Sequence, residues 1–379
     1  MNYRKIKILE TIRQGQIGGG ESHVLDLVRN LNKSEFEPVV LSFTHGPMVD
    51  ELKKMNIKTY VVETLKPFNL TTYNAVKNIL KTEDIDILHA HGTRALSNTI
   101  FPARSMGIPI AYTVHGWSFH QDQPFHIRRV RELSEKFLTD HVNVTISVSM
   151  SNQRDGIQRF NMKRSQVINY GIDLTRFQPD KTHSDLRTEL GIQPGKTVVG
   201  YLVRMTIQKD PFTLIKAIAE VSKVTRNIQF LFIGDGDLKE ASIKLAAELG
   251  ISDMVTFHPF RTDIPDVLNT FDIYTLPSLW EGLPIGLLEA MAMKKAVIAT
   301  PVDGTKEAIR EGVNGLLIPC KDHQGLAQAI LRLHNNSELR KTLASEARKT
   351  VENYFDVNMM VRNNEALYRS LLPSLQQVA

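Results

Sequence analysis

The segment from Ser278 to Ala292, SLWEGLPIGLLEAMA, constrains the fold most, because it combines a strand end, a tight turn and a helix start. The largely apolar residues before it, 272–276, predict a β-strand, and Gly282 permits the turn. Pro284 is expected near the first helical position, where its missing N–H costs nothing. Residues 285–293 are strong helix formers with a continuous apolar stripe, so they predict the helix that follows the strand in an α/β unit.

Two carboxylates flank the start of this helix. Glu281 lies just before it and Glu289 lies inside it, eight residues or about two turns away. A helix N-terminus offers free backbone N–H groups and the positive end of the helix dipole, and both favour a phosphate. Because carboxylates accept hydrogen bonds from paired sugar hydroxyls, the arrangement predicts a nucleotide-sugar site. The competing interpretation is an ordinary α/β helix with two surface glutamates.

The string EGLPIGLLEAMA, residues 281–292, resembles the signature of family 4 glycosyltransferases, a large retaining family with the GT-B fold. The resemblance covers nearly the whole chain and is strongest over 202–318. It implies that Glu289 holds the donor ribose and that Glu281 contacts the hydroxyls of the transferred sugar. One departure is Pro284, where many relatives have glycine, since proline cannot donate a backbone hydrogen bond. Further donor contacts are implied for Leu283, Ile285 and Gly286.

Strands and helices alternate along the chain and predict parallel sheets flanked by helices. One series runs from a strand at 5–11 to a short strand at 167–169, and a second begins at 197–202. Residues 177–196 contain prolines and glycines and are expected to join the two series. The predicted fold class is α/β of the GT-B type, with two doubly wound, Rossmann-like parallel-sheet domains and a cleft between them. The predicted domains are an acceptor-side domain (1–178), a donor-binding domain (190–355) and a C-terminal helix (356–379) that, by the resemblance, packs back on the first domain.

Two basic residues, Arg204 and Lys209, follow the first strand of the second series in the string VRMTIQKDP. Departure of a nucleoside diphosphate builds up negative charge, which two cations stabilise most strongly in the transition state. Arginine can hold two phosphate oxygens in a fork, and lysine acts as a point charge. The resemblance implies that this pair grips the diphosphate. A pair of solvated surface cations is the alternative.

Two further segments of the second domain resemble donor-site elements of the family. The turn 234–237, GDGD, follows an apolar strand, and the resemblance implies that Gly234 borders the nucleotide. An Asp-x-Asp string holds a divalent cation in glycosyltransferases of the other main fold. Here Arg204 and Lys209 already supply the countercharge, so no metal cofactor is predicted. The loop at Arg261 is implied to contact the base through its backbone.

A glycine-rich loop, Gly18–Glu21, lies between the first strand and the first helix. Backbone without side chains lets a ligand approach closely, although the loop lacks the fingerprint of dinucleotide-binding proteins. Its resemblance to the family implies that Gly19 and Gly20 face the donor diphosphate and the acceptor. An ordinary turn that needs a positive φ is the alternative.

Three histidines end strands of the first domain. His115 closes one strand in the string TVHG, and the resemblance places it beside the donor sugar, where a catalytic role is expected. The alternative for His115 is a structural histidine with satisfied hydrogen bonds. His89 and His91 end another strand and are interpreted as structural or acceptor-side residues. Their spacing with His115 gives no standard metal-ligand set, so a metal site is not predicted.

Composition narrows the cellular setting. The formal net charge of the 379 residues is +5, and the excess of basic residues lies before residue 180, which fits an anionic acceptor, an anionic lipid surface or neither. The aromatic and basic residues of 117–131 suit an acceptor lid, a membrane-facing edge or an ordinary packed loop. One cysteine, Cys320, excludes an internal disulfide. With no signal peptide or apolar run of ~20 residues recognised, a cytoplasmic protein with peripheral contact with the inner membrane is expected.

The sequence therefore predicts a retaining glycosyltransferase. We expect it to move a sugar from a nucleotide-diphosphate sugar, with UDP-sugars the commonest donors in the family, to a hydroxyl of a glycan, lipid-linked or small-molecule acceptor in cell-envelope polysaccharide synthesis. Nucleic-acid binding is not expected, because no basic stripe or recognised module is present. The alternatives are a nucleotide-sugar epimerase of the same fold and a non-catalytic nucleotide-sugar-binding protein.

Overall fold

Two compact α/β units make up the chain. The computed structural model describes residues 4–120, 123–179, 181 and 186–372. One unit comprises the chain up to Gly171 together with the segment from Val357 onward, and the other comprises Ile172–Asp356. Each unit contains one parallel β-sheet with helices packed on it. The predicted fold class, two doubly wound parallel-sheet domains, is confirmed.

The first unit has a seven-stranded sheet in the order β3-β2-β1-β4-β5-β6-β7, and every pairing is parallel. The order grows outward in both directions from β1 and β4, so the sheet has a topological switch point between these two strands. Its strands are β1 (Ile6–Ile12), β2 (Phe36–Ser42), β3 (Lys58–Val61), β4 (Ile87–His91), β5 (Ile110–Val114), β6 (Val144–Ser147) and β7 (Ser165–Val167). Its helices before the crossing to the second unit are α1 (Gly19–Asn30), α2 (Pro47–Lys54), α3 (Tyr73–Thr82), α4 (Thr93–Ser105), α5 (Phe125–Asp140) and α6 (Met150–Phe160).

The second unit has a six-stranded parallel sheet in the order β10-β9-β8-β11-β12-β13, with its switch point between β8 and β11. Its strands are β8 (Thr197–Leu202), β9 (Ile228–Ile233), β10 (Val255–His258), β11 (Ile273–Leu276), β12 (Ala296–Ala299) and β13 (Leu316–Leu317). Its helices are α7 (Leu186–Glu189), α8 (Pro211–Ser222), α9 (Lys239–Glu248), α10 (Ile264–Asn269), α11 (Ile285–Ala292), α12 (Thr305–Ala308), α13 (His323–Asn335) and α14 (Ser337–Tyr354).

The last helix, α15 (Val357–Leu371), belongs to the first unit although it comes last in the chain. It packs on α1, and its buried Tyr368 reaches the core beneath the sheet. Two polar contacts fix it from the outside: Glu365 accepts a hydrogen bond from the backbone N–H of Asn32 at 2.8 Å, and Arg369 donates to Glu35 at 2.6 Å. The first unit is therefore closed by residues from both ends of the chain.

The central strands are largely apolar and buried on both faces, as in other parallel sheets with helices on each side, and one local prediction needs correction. Pro284 is the N-cap of α11 rather than its first helical residue, because its ψ of 105° is extended and helical geometry starts at Ile285. Helix α5 begins at Phe125, directly after its N-cap Pro124. Within the joining segment, residues 186–189 form the short helix α7. Local pattern gave the elements, whereas their ends depend on tertiary contacts that sequence spacing does not show.

Candidate active site

Two loops meet at the switch point of the second sheet. One follows β8 and carries Arg204 and Lys209, and the other follows β11 and carries Glu281. Parallel strands present their carboxyl ends at one edge, and neighbours at a switch point send their loops to opposite sides, which opens a crevice for a ligand. The loops are joined directly: the Leu279 N–H donates to the carbonyl of Gln208 at 2.8 Å, and the Gln208 side chain donates to the carbonyl of Trp280 at 2.9 Å.

An ion pair between Lys209 and Glu281 lies across this junction. The Glu281 side chain is 5% exposed and the Lys209 side chain 20% exposed, so the pair is held close to the protein interior. Glu281 also accepts a hydrogen bond from the Ser278 hydroxyl at 2.6 Å, and its backbone N–H donates to Asp303 at 2.8 Å. The backbone and the carboxylate of Glu281 are thus both fixed, whereas Lys209 retains an edge toward solvent.

A buried tyrosine, Tyr274 on β11, is hydrogen-bonded to the end of β8 and lies near both carboxylates of the motif. Its hydroxyl donates to the carbonyl of Leu202 at 3.4 Å. A methyl group added at Gly286 would lie 3.1 Å from the same hydroxyl, so the start of α11 approaches it closely. Burial, followed by the negative charges of Glu281 and Glu289, raises the pKa of Tyr274. Both carboxylates are therefore close enough to the Tyr274 hydroxyl to act on it electrostatically.

Arg204 is exposed on the loop after β8, and within the described residues it has no hydrogen bond or ion pair. The GDGD turn packs against the same loop, because side chains are absent at both glycines. A Cβ at Gly234 would lie 2.1 Å from the carbonyl oxygen of Val203, and one at Gly236 would lie 2.1 Å from that of Met205. The structure thus brings Gly234 beside Arg204, as expected for two parts of one site.

Arg261 has its guanidinium committed within the protein. It forms ion pairs with Glu189 at 2.5 Å and with Asp263 at 2.6 Å, and these hydrogen bonds raise its pKa. The backbone N–H of Phe260, next to it, donates to the Asp235 carboxylate at 2.9 Å. The side chain of Arg261 therefore shapes the loop, and a ligand would meet the backbone there.

The start of α11 offers backbone groups rather than side chains. Leu283 is buried, whereas Ile285 and Gly286 are half-buried. Pro284 has no N–H, and its carbonyl accepts from the N–H groups of Leu287 and Leu288 at 3.1 and 3.2 Å. The N–H groups of Ile285 and Gly286 have no acceptor within the described residues, which is the usual state of a first helical turn.

In the first unit, polar side chains collect at the switch point between β1 and β4. Glu10 and His89 are register partners, and His91 lies two residues farther along the same face of β4. All three are fully buried. The Glu10 carboxylate accepts from His91 Nε2 at 2.8 Å and from the Tyr368 hydroxyl at 2.8 Å, and it lies 3.1 Å from His89 Nδ1.

His115, immediately after β5, extends this set toward the glycine-rich loop. Its Nε2 lies 3.2 Å from His91 Nδ1, and its Nδ1 lies 2.6 Å from the Tyr170 hydroxyl. A Cβ at Gly20 would lie 3.3 Å from the His115 ring, so the loop and the histidine are neighbours. We call the connected residues Glu10, His91, His115 and Tyr170 the histidine chain.

Burial dominates the protonation of these histidines. It lowers the pKa of His115 well below its ordinary value, and the nearby His91 and His23 act in the same direction. The pKa of His91 is lowered to about 4 by burial and by His89, against the opposing hydrogen bond to Glu10. For Glu10, burial alone would raise the pKa, yet the pairing and hydrogen bonds with His89 and His91 lower it overall. At neutral pH the chain therefore contains neutral imidazoles and an ionised carboxylate.

The ligand-type atoms of Glu10, His89 and His91 all lie within 4.8 Å of one another, close enough to surround a metal ion. Each of these atoms already makes a contact of hydrogen-bond length. His89 Nε2, for example, lies 2.7 Å from the Thr113 hydroxyl, and His89 Nδ1 lies 2.7 Å from the Tyr368 hydroxyl. The geometry is that of a hydrogen-bonded network, and absence of a metal cofactor stays a prediction.

Comparison with known proteins agrees with this architecture. The family model described as "Glycosyl transferases group 1" matches residues 183–350, and the model described as "Glycosyltransferase Family 4" matches residues 17–176. The chain belongs to glycosyltransferase family 4. It is a glycosyltransferase enzyme, as predicted.

Several proteins resemble this glycosyltransferase over most of their length, at 24–29% sequence identity. The putative glycosyltransferase EpsD of Bacillus subtilis is 29% identical over 81% of this chain and 82% of its own. A galactosyltransferase of Escherichia coli, named UDP-Gal:alpha-D-GlcNAc-diphosphoundecaprenol alpha-1,3-galactosyltransferase, is 25% identical over 97% of both chains. Anabaena HepE, solved in complex with UDP and glucose, shares the fold with a TM-score of 0.86 at 24% identity, covering 96% of this chain and 100% of that one.

The motif residues were found from sequence because each belongs to a contiguous string. Supporting residues whose partners are distant in the chain were missed: Glu10, Tyr170, Tyr274 and Tyr368. The contact of the Ser278 hydroxyl with Glu281 was also missed, although both residues lie in one string. Glu10 carried one weak signal, since a charged residue in an otherwise apolar strand is unusual. Individual roles of the motif residues stay predictions. Within the described residues no helix is long and apolar enough to cross a membrane.

Proposed function

We propose that this glycosyltransferase transfers a sugar from a UDP-sugar, with retention of anomeric configuration, to a hydroxyl of a glycan or lipid-linked acceptor in cell-envelope polysaccharide synthesis. The relatives support this proposal. The E. coli relative is named for a UDP-galactose donor and a diphosphoundecaprenol-linked acceptor, and the Anabaena structure contains UDP and glucose. A sugar donor of this class requires a site for two phosphates, a ribose and a sugar ring.

The observation that carries the proposal is the placement of two cations opposite a helix start at one switch point. Arg204 is exposed, and Lys209 is paired with a carboxylate that a sugar can also use. In the proposed complex both cations contact the diphosphate and offset the charge that builds up as UDP departs. Glu289 holds the ribose, and Glu281 accepts hydrogen bonds from hydroxyls of the transferred sugar.

The remaining contacts follow the same proposal. Backbone groups of Leu283, Ile285 and Gly286 contact the donor, Gly234 borders the nucleotide and the loop at Arg261 contacts the base. In the first unit His115 serves the transfer step, and the loop at Gly19 and Gly20 admits the substrate without side-chain obstruction. Because Arg204 and Lys209 neutralise the phosphates, transfer requires no divalent metal. Full turnover in the presence of EDTA is expected, and loss of turnover restored by Mg²⁺ would contradict this part.

Peripheral membrane contact is proposed through the outward face of α5. Val130 and Leu133 are 63% and 61% exposed, and Phe137 lies on the same face at helical spacing. The helix also carries four basic residues, of which Arg129 and Lys136 are ion-paired with Glu132 and Asp140 of the same helix. An apolar strip beside basic residues is typical of helices that lie on anionic lipid surfaces. The basic residues are Arg128, Arg129, Arg131 and Lys136.

Vesicle sedimentation tests this contact. The protein is expected to sediment with phosphatidylglycerol vesicles and to remain in solution with phosphatidylcholine vesicles at moderate salt. The double variant Val130→Ser, Leu133→Ser is expected to lose binding, whereas Val224→Ser, at a comparably exposed site in the second unit, is expected to retain it. Equal binding by all three proteins would remove α5 from the proposal.

Turnover assays separate transfer from the alternatives. The purified protein is incubated with a panel of nucleotide sugars, with and without cell-envelope acceptors, and released UDP and the new anomeric signal are followed by NMR. Transfer with retention predicts UDP release and an α-product from an α-donor only when acceptor is present. An isomerised donor without acceptor would indicate an epimerase. Tight donor binding without turnover would indicate a binding protein, and an inverted product would exclude retention.

A further inference from the structure

The histidine chain has a definite direction, which can be deduced from its buried carboxylate. Glu10 is ionised, and a carboxylate has only acceptor atoms. His91 Nε2 lies 2.8 Å from Glu10 Oε2, so this nitrogen must carry a proton. His91 is also neutral at ordinary pH, because burial lowers its pKa to about 4. A neutral imidazole has one N–H, and His91 Nδ1 is therefore an acceptor.

The same reasoning continues to His115. Its Nε2 lies 3.2 Å from His91 Nδ1, and since that atom can only accept, His115 Nε2 must donate. His115 is neutral as well, because burial lowers its pKa well below the ordinary value. Its Nδ1 is consequently an acceptor, and the Tyr170 hydroxyl at 2.6 Å donates to it. Every proton in the histidine chain points toward Glu10.

Packing keeps these rings in place. The His23 ring lies against His91, His115 and Tyr170, with centroid separations of 5.5, 5.4 and 5.0 Å. All of these side chains are buried except that of His115, which is half-buried. Rotation of the His91 or the His115 ring would break two hydrogen bonds in a buried region, and an unsatisfied buried polar group is costly.

We propose that Glu10 and His91 are positioning residues for His115: acting in series, they hold it as the tautomer protonated on Nε2 and keep its Nδ1 as a hydrogen-bond acceptor. Neither residue needs to touch substrate. A ligand hydroxyl that reached Nδ1 in place of the Tyr170 hydroxyl would have to donate its proton. The ionised carboxylate at the far end also polarises both imidazoles, which makes Nδ1 a stronger acceptor.

This inference rests on the proposed function only for its consequence, because the tautomer itself is a property of the first unit. If His115 serves sugar transfer, loss of the correct tautomer lowers turnover more than donor affinity. The effect on kcat is expected to be on the order of tenfold, as for other residues that orient a functional histidine.

Nitrogen NMR of the full-length protein tests the tautomer directly. In protein labelled with ¹⁵N-histidine, long-range proton–nitrogen correlations distinguish protonated from unprotonated ring nitrogens. The His115 signals are identified as those missing from His115→Gln. At neutral pH we expect a protonated Nε2 and an unprotonated Nδ1. A protonated Nδ1, or a doubly protonated ring, would overturn the proposal.

Matched variants test whether His91 imposes this state. His91→Phe keeps a ring of similar size but removes the acceptor for His115, so the His115 nitrogens are expected to show averaged values from a tautomer mixture. His89→Phe makes the same change at an equally buried site that contacts Glu10 but not His115. It is expected to keep the wild-type pattern. An unchanged pattern in His91→Phe, with folding confirmed by circular dichroism, would contradict the proposed role of His91.

The contribution of Glu10 is tested with Glu10→Gln. An amide offers one donor and one acceptor, so the direction of the chain is no longer imposed and the His115 signals should shift toward a mixture. Retention of the full wild-type pattern would remove Glu10 from the proposal. If the tautomers behave as expected while His115→Gln retains full turnover, the catalytic assignment of His115 fails and the tautomer inference stands.

Discussion

The switch points of the two sheets use the same topology for opposite purposes. In the second unit the two cations keep access to solvent: Arg204 is exposed, and the Lys209 side chain is 20% exposed although its partner Glu281 is buried. In the first unit, Glu10 and His91 are fully buried and hydrogen-bonded within the fold. Ion pairs near solvent contribute little to stability and can exchange partners, whereas buried networks must remain fully paired.

The difference suggests a division of labour within the enzyme. In the second unit Lys209 can leave Glu281 for a charged ligand, because Lys209 reaches solvent and the buried Glu281 keeps its hydrogen bond from the Ser278 hydroxyl. Residues of the first unit cannot do so without leaving a buried group unsatisfied. Ligand charge is therefore expected to be handled by the second unit, and fixed hydrogen-bond direction by the first.

The largest expected effect is a selective loss of stability of the first unit in mild acid. His91 has an ordinary pKa of 6.5 and a folded pKa of about 4. The contribution of neutral His91 to the free energy of unfolding is complete above pH 6.5. It is lost as the pH falls toward 4, because the unfolded state binds the proton more readily. His115 and His23, whose pKa values are also lowered, act in the same sense. Together, protonation of these histidines should lower the free energy of unfolding of the first unit by on the order of a few kcal/mol.

Tryptophan fluorescence can follow each unit separately. The chain has two tryptophans, Trp117 in the first unit and Trp280 in the second. Urea unfolding of Trp280→Phe reports the first unit, and that of Trp117→Phe reports the second. The urea midpoint of the first unit should fall more steeply than that of the second as the pH is lowered. The histidines with lowered pKa in the second unit, His258 and His334, are only half-buried. If the urea midpoints of the two units fell equally with pH, the proposed difference between the units would be refuted.

The next largest effect concerns the ion pair of the second unit. Lys209→Gln keeps a hydrogen-bond donor for Glu281 but removes the positive charge. We expect kcat/KM to fall by about 100-fold, the usual cost of losing one group that stabilises transition-state charge. Lys58→Gln is the control, because that lysine is also paired with a buried carboxylate, Glu83, but lies on the edge strand β3 of the first unit. Comparable losses in both variants would argue against a specific role for Lys209.

A smaller effect is expected for Arg204→Ala. The residue is exposed and makes no hydrogen bond or ion pair within the described chain, so its loss should leave the unfolding midpoint unchanged. Donor affinity should fall by about tenfold, as for loss of one charge-assisted contact with phosphate. Calorimetric titration with UDP measures this, and Arg332→Ala on the exposed side of α13 is the control. Unchanged UDP affinity would place Arg204 outside the donor site.

Much of the fold could be predicted from sequence, because strand and helix periodicities repeat through both sheets. Donor-site candidates in the second unit were also accessible, since Arg204, Lys209 and Glu281 belong to short strings. The supporting contacts were not. Tyr368 meets Glu10 across 358 residues of sequence, and no local pattern specifies such a pair. The position of Pro284 was misjudged by one residue, because both N-cap and first-turn positions tolerate its φ of −77°.

The smallest expected effect tests that proline. Pro284→Gly restores a backbone N–H at the N-cap and adds conformational freedom to the unfolded chain. The free energy of unfolding should fall by roughly 1 kcal/mol, with Pro284→Ala showing a smaller loss. Donor affinity should stay within about twofold, because the N–H groups of Ile285 and Gly286 are unaltered. A large gain in affinity would show that an N–H at this position is a missing donor contact.

The return of α15 to the first unit sets an order of events during synthesis. A ribosome releases the N-terminal residues first, yet Glu10 acquires its Tyr368 partner only after the whole second unit has been made. Until then Glu10 lies in the interior of the nascent N-terminal unit without the hydrogen bond that the Tyr368 hydroxyl later donates. Fragments that stop before α15 should consequently aggregate or be degraded, and a split version of this enzyme would need the final helix supplied to its N-terminal half.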